Sequence, residues 1–154
     1  MKTPEPRDTY ELIGHKQNER FILKAWEKDK IPHSLLLSGP KGVGKATFAF
    51  RVARFLLNNG GIDQNSQNGL DFGQQIIDET LAVPRENIVS RQVANNAHPN
   101  LLVIQRSENL QTKKIRSEIV IDDLKPLKSF LNLKASDAGW RVVLIDTIDD
   151  MIPN

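Results

Sequence analysis

Seven consecutive residues, Gly39, Pro40, Lys41, Gly42, Val43, Gly44 and Lys45, fit the pattern G-x-x-x-x-G-K. The pattern suits an anion. Glycines let a backbone curl until successive N–H groups converge, and a helix opening at the end of the loop adds its positive dipole end. Lys45 supplies a compact cation of the kind that reaches the outer phosphates of a nucleotide. The next position departs from the pattern. A Ser or Thr hydroxyl there would ligate Mg²⁺, but Ala46 occupies it and Thr47 comes one residue late. One step along a helix turns a side chain by about 100°, so Thr47 points elsewhere. A phosphate cradle over 39–47 is expected to survive, with metal ligation weakened.

The second candidate is Val142-Val143-Leu144-Ile145-Asp146, an apolar strand ending in a carboxylate. Asp146 stands where such an acid holds Mg²⁺ through water. Strand ends of this kind are common on their own, and the glycine loop upstream makes this one more specific. Enzymes that hydrolyse at such sites place a Glu directly after the Asp to polarise water, and this chain has Thr147. No catalytic residue is assigned. His15, His33 and His98 lie far apart with no i, i+4 pair, so no metal site is expected. His98, before Pro99, suits a turn. Lys113, Lys114 and Arg116 suit solvated surface, and Trp26 and Trp140 suit packing.

These residues need particular elements around them. Phe21, Ile22, Ala25 and Trp26 fall on one face of a helix over 17–28, which Pro32 stops. Residues 34–38, SLLLS, predict a strand covered on both faces. A helix then runs from the loop to Leu57 with Ala49, Val52, Ala53 and Leu56 as its stripe, ended by Asn58-Asn59-Gly60-Gly61. Residues 58–69 hold a single large apolar side chain, Ile62, and predict a mobile loop. Weaker helices are expected at 72–81 and 86–94. Residues 101–105 predict a second strand, 107–117 a surface loop, and 141–146 a third strand. Asp122 or Asp123 can cap a helix bearing Leu124, Leu127 and Leu131, provided Pro126 sits in its first turn. Strands alternating with helices predict an α/β fold with a parallel sheet flanked by helices. Three strands are few, so an N-terminal portion of a larger domain is expected.

Composition narrows the classes further. The 154 residues carry 21 Lys+Arg against 19 Asp+Glu, a net charge of +2, so no strong field steers the chain to nucleic acid or membrane. The absence of Cys excludes a disulfide scaffold, a thiol nucleophile and a cysteine zinc site. No apolar run approaches the ~20 residues of a membrane span, and the polar, proline-bearing start has no secretory core. A soluble, cytoplasmic protein is expected, with residues 1–11 flexible.

Taken together, IGHKQNERFILKAWEKDKIPHSLLLSGPKGVGKATFAFRVARFLL, HPNLLVIQ and IVIDDLKPLKSFLNLKASDAGWRVVLIDTIDDM resemble bacterial clamp-loader AAA+ subunits, nearest to the delta-prime branch of DNA polymerase III. The resemblance runs from Leu12 through nearly the whole chain, the polar insert at about 58–97 excepted. It implies a P-loop NTPase domain of RecA-like architecture over 12–154, the partial N-terminal portion of a ring-forming subunit. It also implies partners: other clamp-loader subunits of the gamma/tau and delta types, and through them the sliding clamp and primed DNA. Members of that branch are often ATPase-defective and lend an arginine to a neighbour's site. ATP or ADP is then expected to bind weakly, with Mg²⁺ left open. Many relatives carry a four-cysteine zinc module where this chain has 58–97, so no zinc is expected. Two rival functions remain open on the residues alone. One is a competent small P-loop ATPase or kinase resting on Lys45 and Asp146, and the other is a structural domain whose glycine loop is only a turn.

Overall fold

A computed structural model describes residues 4–60, 80–132 and 139–151. Four helices, α1 (Lys16–Glu27), α2 (Lys45–Asn59), α3 (Ile88–Ala94) and α4 (Ile121–Asn132), accompany two strands, β1 (Leu101–Gln105) and β2 (Val142–Asp146). The strands are parallel neighbours in register, Leu101 opposite Val142 and Gln105 opposite Asp146. A parallel pair needs a crossover, and α4 supplies it, packing on β1. The α/β class and the parallel pairing agree with a partial P-loop domain.

Helix α2 organises the interior. Phe48, Val52, Phe55 and Leu56 pack with Ile22 and Leu23 of α1 and with Leu81, while Leu12, Trp26, Leu37 and Trp140 close the edge. Phe50 and Ala53 face the other way, onto Leu101, Leu144 and Val93. A helix apolar on most of its circumference belongs in a core between layers, and α2 lies between α1 and the sheet. The Trp26 ring meets Phe55 edge-on at 5.4 Å and lies 6.4 Å from Trp140, so both tryptophans are packing residues.

Several expectations change. Residues 34–38 form no strand: Leu36 is 77% exposed and Leu35 is exposed, with Leu37 alone turned onto the core. Among the described residues no neighbouring strand takes up their backbone groups, and a strand without a ladder is not a sheet member. Pro126 lies in the second turn of α4 instead of the first, because the helix already begins at Ile121. Its start is secured from inside. Asp123 Oδ2 accepts the Val120 N–H at 3.0 Å, the reciprocal half of a capping box. Asn58 and Asn59 extend α2, which ends at Gly60. The remainder of the 58–69 loop, and 72–79 of the first weak helix, lie outside the described residues. The second weak helix is α3, capped by Asn87, whose side chain accepts the Val89 N–H at 2.8 Å.

The opening stretch, expected from composition to be loose, is docked where it is described. A 3-10 turn at Pro6–Asp8 lies against α2, and Arg54 of α2 donates to the carbonyls of Arg7 and Thr9.

Candidate functional site

The glycine loop leads directly into α2. Gly39, Gly42 and Gly44 all have positive φ, at 146°, 84° and 95°. Gly44 is the N-cap of α2 in the left-handed region, where a β-carbon is costly. Space points the same way, since a β-carbon at Gly44 would sit 3.0 Å from Leu12 Cδ1. The helix ladder starts with the Phe48 N–H on the Gly44 carbonyl at 2.8 Å. The N–H groups of Gly44, Lys45, Ala46 and Thr47 find no acceptor among the described residues, as expected at a helix start. Such donors are what an anion would meet.

Lys45 folds back over the loop. Its ammonium donates to the carbonyls of Gly39 at 2.8 Å and Pro40 at 3.0 Å. Two of its three protons are engaged there, which leaves one donor and the full charge for an incoming group. Ala46 and Thr47 follow on the first turn of α2. With a methyl group at the first of these positions, the loop offers a metal no hydroxyl directly after Lys45.

Asp146 closes β2 at its carboxyl end, opposite Gln105. It lines a polar pocket with Glu5, Arg7, Phe50, Gln105 and Arg106. Residues 39–47 are one continuous loop-to-helix segment; no hydrogen bond or ion pair joins Asp146 to Lys45 among the described residues, and Lys45 does not line the Asp146 pocket. Phe50 is the residue of α2 that lines that pocket. His98 is a turn residue, its Nδ1 accepting the Asn100 N–H at 3.2 Å. Residues 107–117 form an exposed turn, with Lys113 and Lys114 in solvent.

Sequence reasoning missed the polar network behind the loop helix. Glu19 of α1 pairs with Arg51 of α2 at 2.6 Å and also accepts from Thr80 Oγ1 at 3.2 Å and the Leu81 N–H at 3.4 Å. Arg51 donates further to the Tyr10 carbonyl at 2.6 Å. Arg54 is 2% exposed and stacks its guanidinium over the Tyr10 ring at 4.4 Å. Burial pushes its pKa below the usual arginine value; Tyr10 and Asp8 oppose that shift, and Arg51 adds to it. A signal was present: Arg54 interrupts an otherwise apolar run, Val52-Ala53-Arg54-Phe55-Leu56. A buried cation must have partners, though the sequence does not say which.

A glycine loop opening onto the central helix of an α/β layer, with an acid ending a strand packed against that helix, agrees with the N-terminal part of a P-loop domain. The comparison with known families is specific. The family model described as DNA polymerase III, delta subunit, matches residues 14–154, nearly the whole chain, and the chain belongs to that family. It is accordingly a clamp-loader-type subunit of the replicative polymerase. No curated protein and no solved structure matches it.

Proposed function

We propose that the chain is the N-terminal domain of a delta-prime-type clamp-loader subunit, one that retains a phosphate cradle and has lost its own ATP hydrolysis. The carrying observation is the pairing of a complete glycine loop with Ala46 at the hydroxyl position. Glycines at positive φ, orphaned N–H groups at the start of α2 and a lysine on the loop all favour holding an anion. Hydrolysis asks for more. Charge developing on the γ-phosphate needs its metal and a positioned water. Ala46 lacks the oxygen for the first, and Thr147 after Asp146 lacks the carboxylate for the second.

In this reading ATP or ADP binds weakly at 39–47, and Asp146 contributes at most a water-mediated contact. The partners are gamma/tau-type and delta-type subunits in one ring, with the sliding clamp and primed DNA reached through the assembly in the cytoplasm. Among the described residues no helix is long and apolar enough to cross a membrane. The rival is a competent small ATPase or kinase. Steady-state ATP turnover by the full-length protein with Mg²⁺ separates the two. Negligible phosphate release is expected, whereas turnover near ~1 s⁻¹, an ordinary enzyme rate, would establish the competent enzyme.

A further inference from the structure

We propose that His15 is a positioning residue for the glycine loop, aiming one of the loop's N–H groups through a hydrogen bond to the loop backbone. The proposal rests on the reading of 39–47 as a phosphate cradle.

His15 is the N-cap of α1, yet its side chain does not cap that helix. It reaches instead across 28 positions of sequence, with Nε2 2.7 Å from the Val43 carbonyl oxygen. A carbonyl can only accept, so Nε2 carries the proton. Nδ1 is then free to accept from Asn18 Nδ2, which lies 3.3 Å away on the first turn of α1. The ring is steadied by stacking on Phe48, with centroids 5.8 Å apart and planes at 28°. Phe48 is also the residue whose N–H begins the α2 ladder on Gly44. His15 thus touches the loop through a peptide and the loop helix through a ring.

The consequence follows from peptide geometry. In a trans peptide the C=O of one residue and the N–H of the next point to opposite sides of one rigid plane. Holding the Val43 carbonyl toward α1 therefore holds the Gly44 N–H on the side away from α1. That N–H is one of the four at the loop's end without an acceptor among the described residues. Gly44 is also the residue most able to swing, since glycine visits many backbone wells at little cost. Without the bond, the 43–44 peptide is free to rotate and the Gly44 donor is lost from the cradle for part of the time. Preorganised donors are worth more to a bound anion than donors that must be collected on binding. His15 touches no ligand itself. Its action passes through the Val43–Gly44 peptide.

Two variants separate the hydrogen bond from the packing. His15→Gln keeps an N–H donor at comparable reach and gives up the ring on Phe48. His15→Phe keeps the ring and gives up the donor. ADP titrated calorimetrically into the full-length protein is expected to bind His15→Gln nearly as well as the parent. It should bind His15→Phe roughly three- to tenfold more weakly, the equivalent of one net hydrogen bond. The opposite order, with Phe parent-like and Gln weakened, would show that only the ring matters and overturn the proposal. Equal losses in both variants would overturn it as well. A parent that binds no ADP sinks the cradle reading beneath it, whereas a parent that binds beside an unaffected His15→Phe sinks the positioning role alone.

Discussion

Arg54 shows how a single residue can tie an extended segment to a core helix. Its guanidinium is buried, donates to two main-chain carbonyls of the opening segment and lies over Tyr10; Arg85 approaches the same ring at 5.5 Å. Removing the side chain leaves the carbonyls of Arg7 and Thr9 without their donors and opens a void between α2 and the 3-10 turn. The two carbonyls are half-buried, so their lost donors and the void left by a buried side chain together cost about 2 kcal/mol or more. Arg54→Ala should therefore destabilise the fold by at least ~2 kcal/mol in urea unfolding. Lysine should not restore the loss, because a point charge cannot serve two divergent carbonyls and a ring face together. Full stability in Arg54→Lys would mean that charge alone holds the segment.

At the scale of elements, α2 is the piece that everything else is fitted to, and its far end shows how closely. Gly60 ends the helix with φ −79° and ψ −10°, angles any residue can adopt. A β-carbon there would collide with the Trp140 ring and lie 2.6 Å from the Leu56 carbonyl. Alanine would gain up to ~1 kcal/mol in helix propensity, while overpacking against a ring held by Trp26 costs about 1–3 kcal/mol. Gly60→Ala is thus expected to lower the melting temperature and to change tryptophan fluorescence. A rise in melting temperature would show that Trp140 moves aside freely. Much of this element was legible in the sequence. The stripe of Ala49, Val52, Ala53 and Leu56 predicted burial but a single face, whereas the structure sends Val52 and Leu56 to one side and Ala49 and Ala53 to the other; the run of asparagines and glycines predicted the end to within two residues. The strands 101–105 and 142–146 were equally legible, because unbroken apolar runs of that length have few other uses. The segment 34–38 has the same composition and forms no strand. Strand formation depends on a partner that local sequence does not contain. Pro126 misled for a related reason, since helix starts are set by caps, and Asp123 fixes this one from its third position.

On the scale of the whole molecule, the loop was legible and its supports were not. Gly39 to Lys45 could be read from spacing alone as a glycine loop opening a helix. His15, Glu19, Arg51 and Tyr10, which hold the loop helix and its approach, come from distant stretches of chain and share no pattern. Asp146 was correctly placed at a strand end, yet the pocket it lines is walled by the opening segment and Arg106 rather than by Lys45. These features agree with family membership over residues 14–154, and in the proposed function the glycine loop still holds phosphate while hydrolysis is lost. The most direct test of that claim is calorimetric titration of ATP, with Mg²⁺, into the full-length protein and its Lys45→Ala variant. Binding by the parent, clearly weakened in Lys45→Ala at unchanged melting temperature, is the predicted result, because a loop lysine bonded to exposed carbonyls adds little to stability. Equal binding by both proteins, or none by either, would contradict it and leave the glycine loop as a turn.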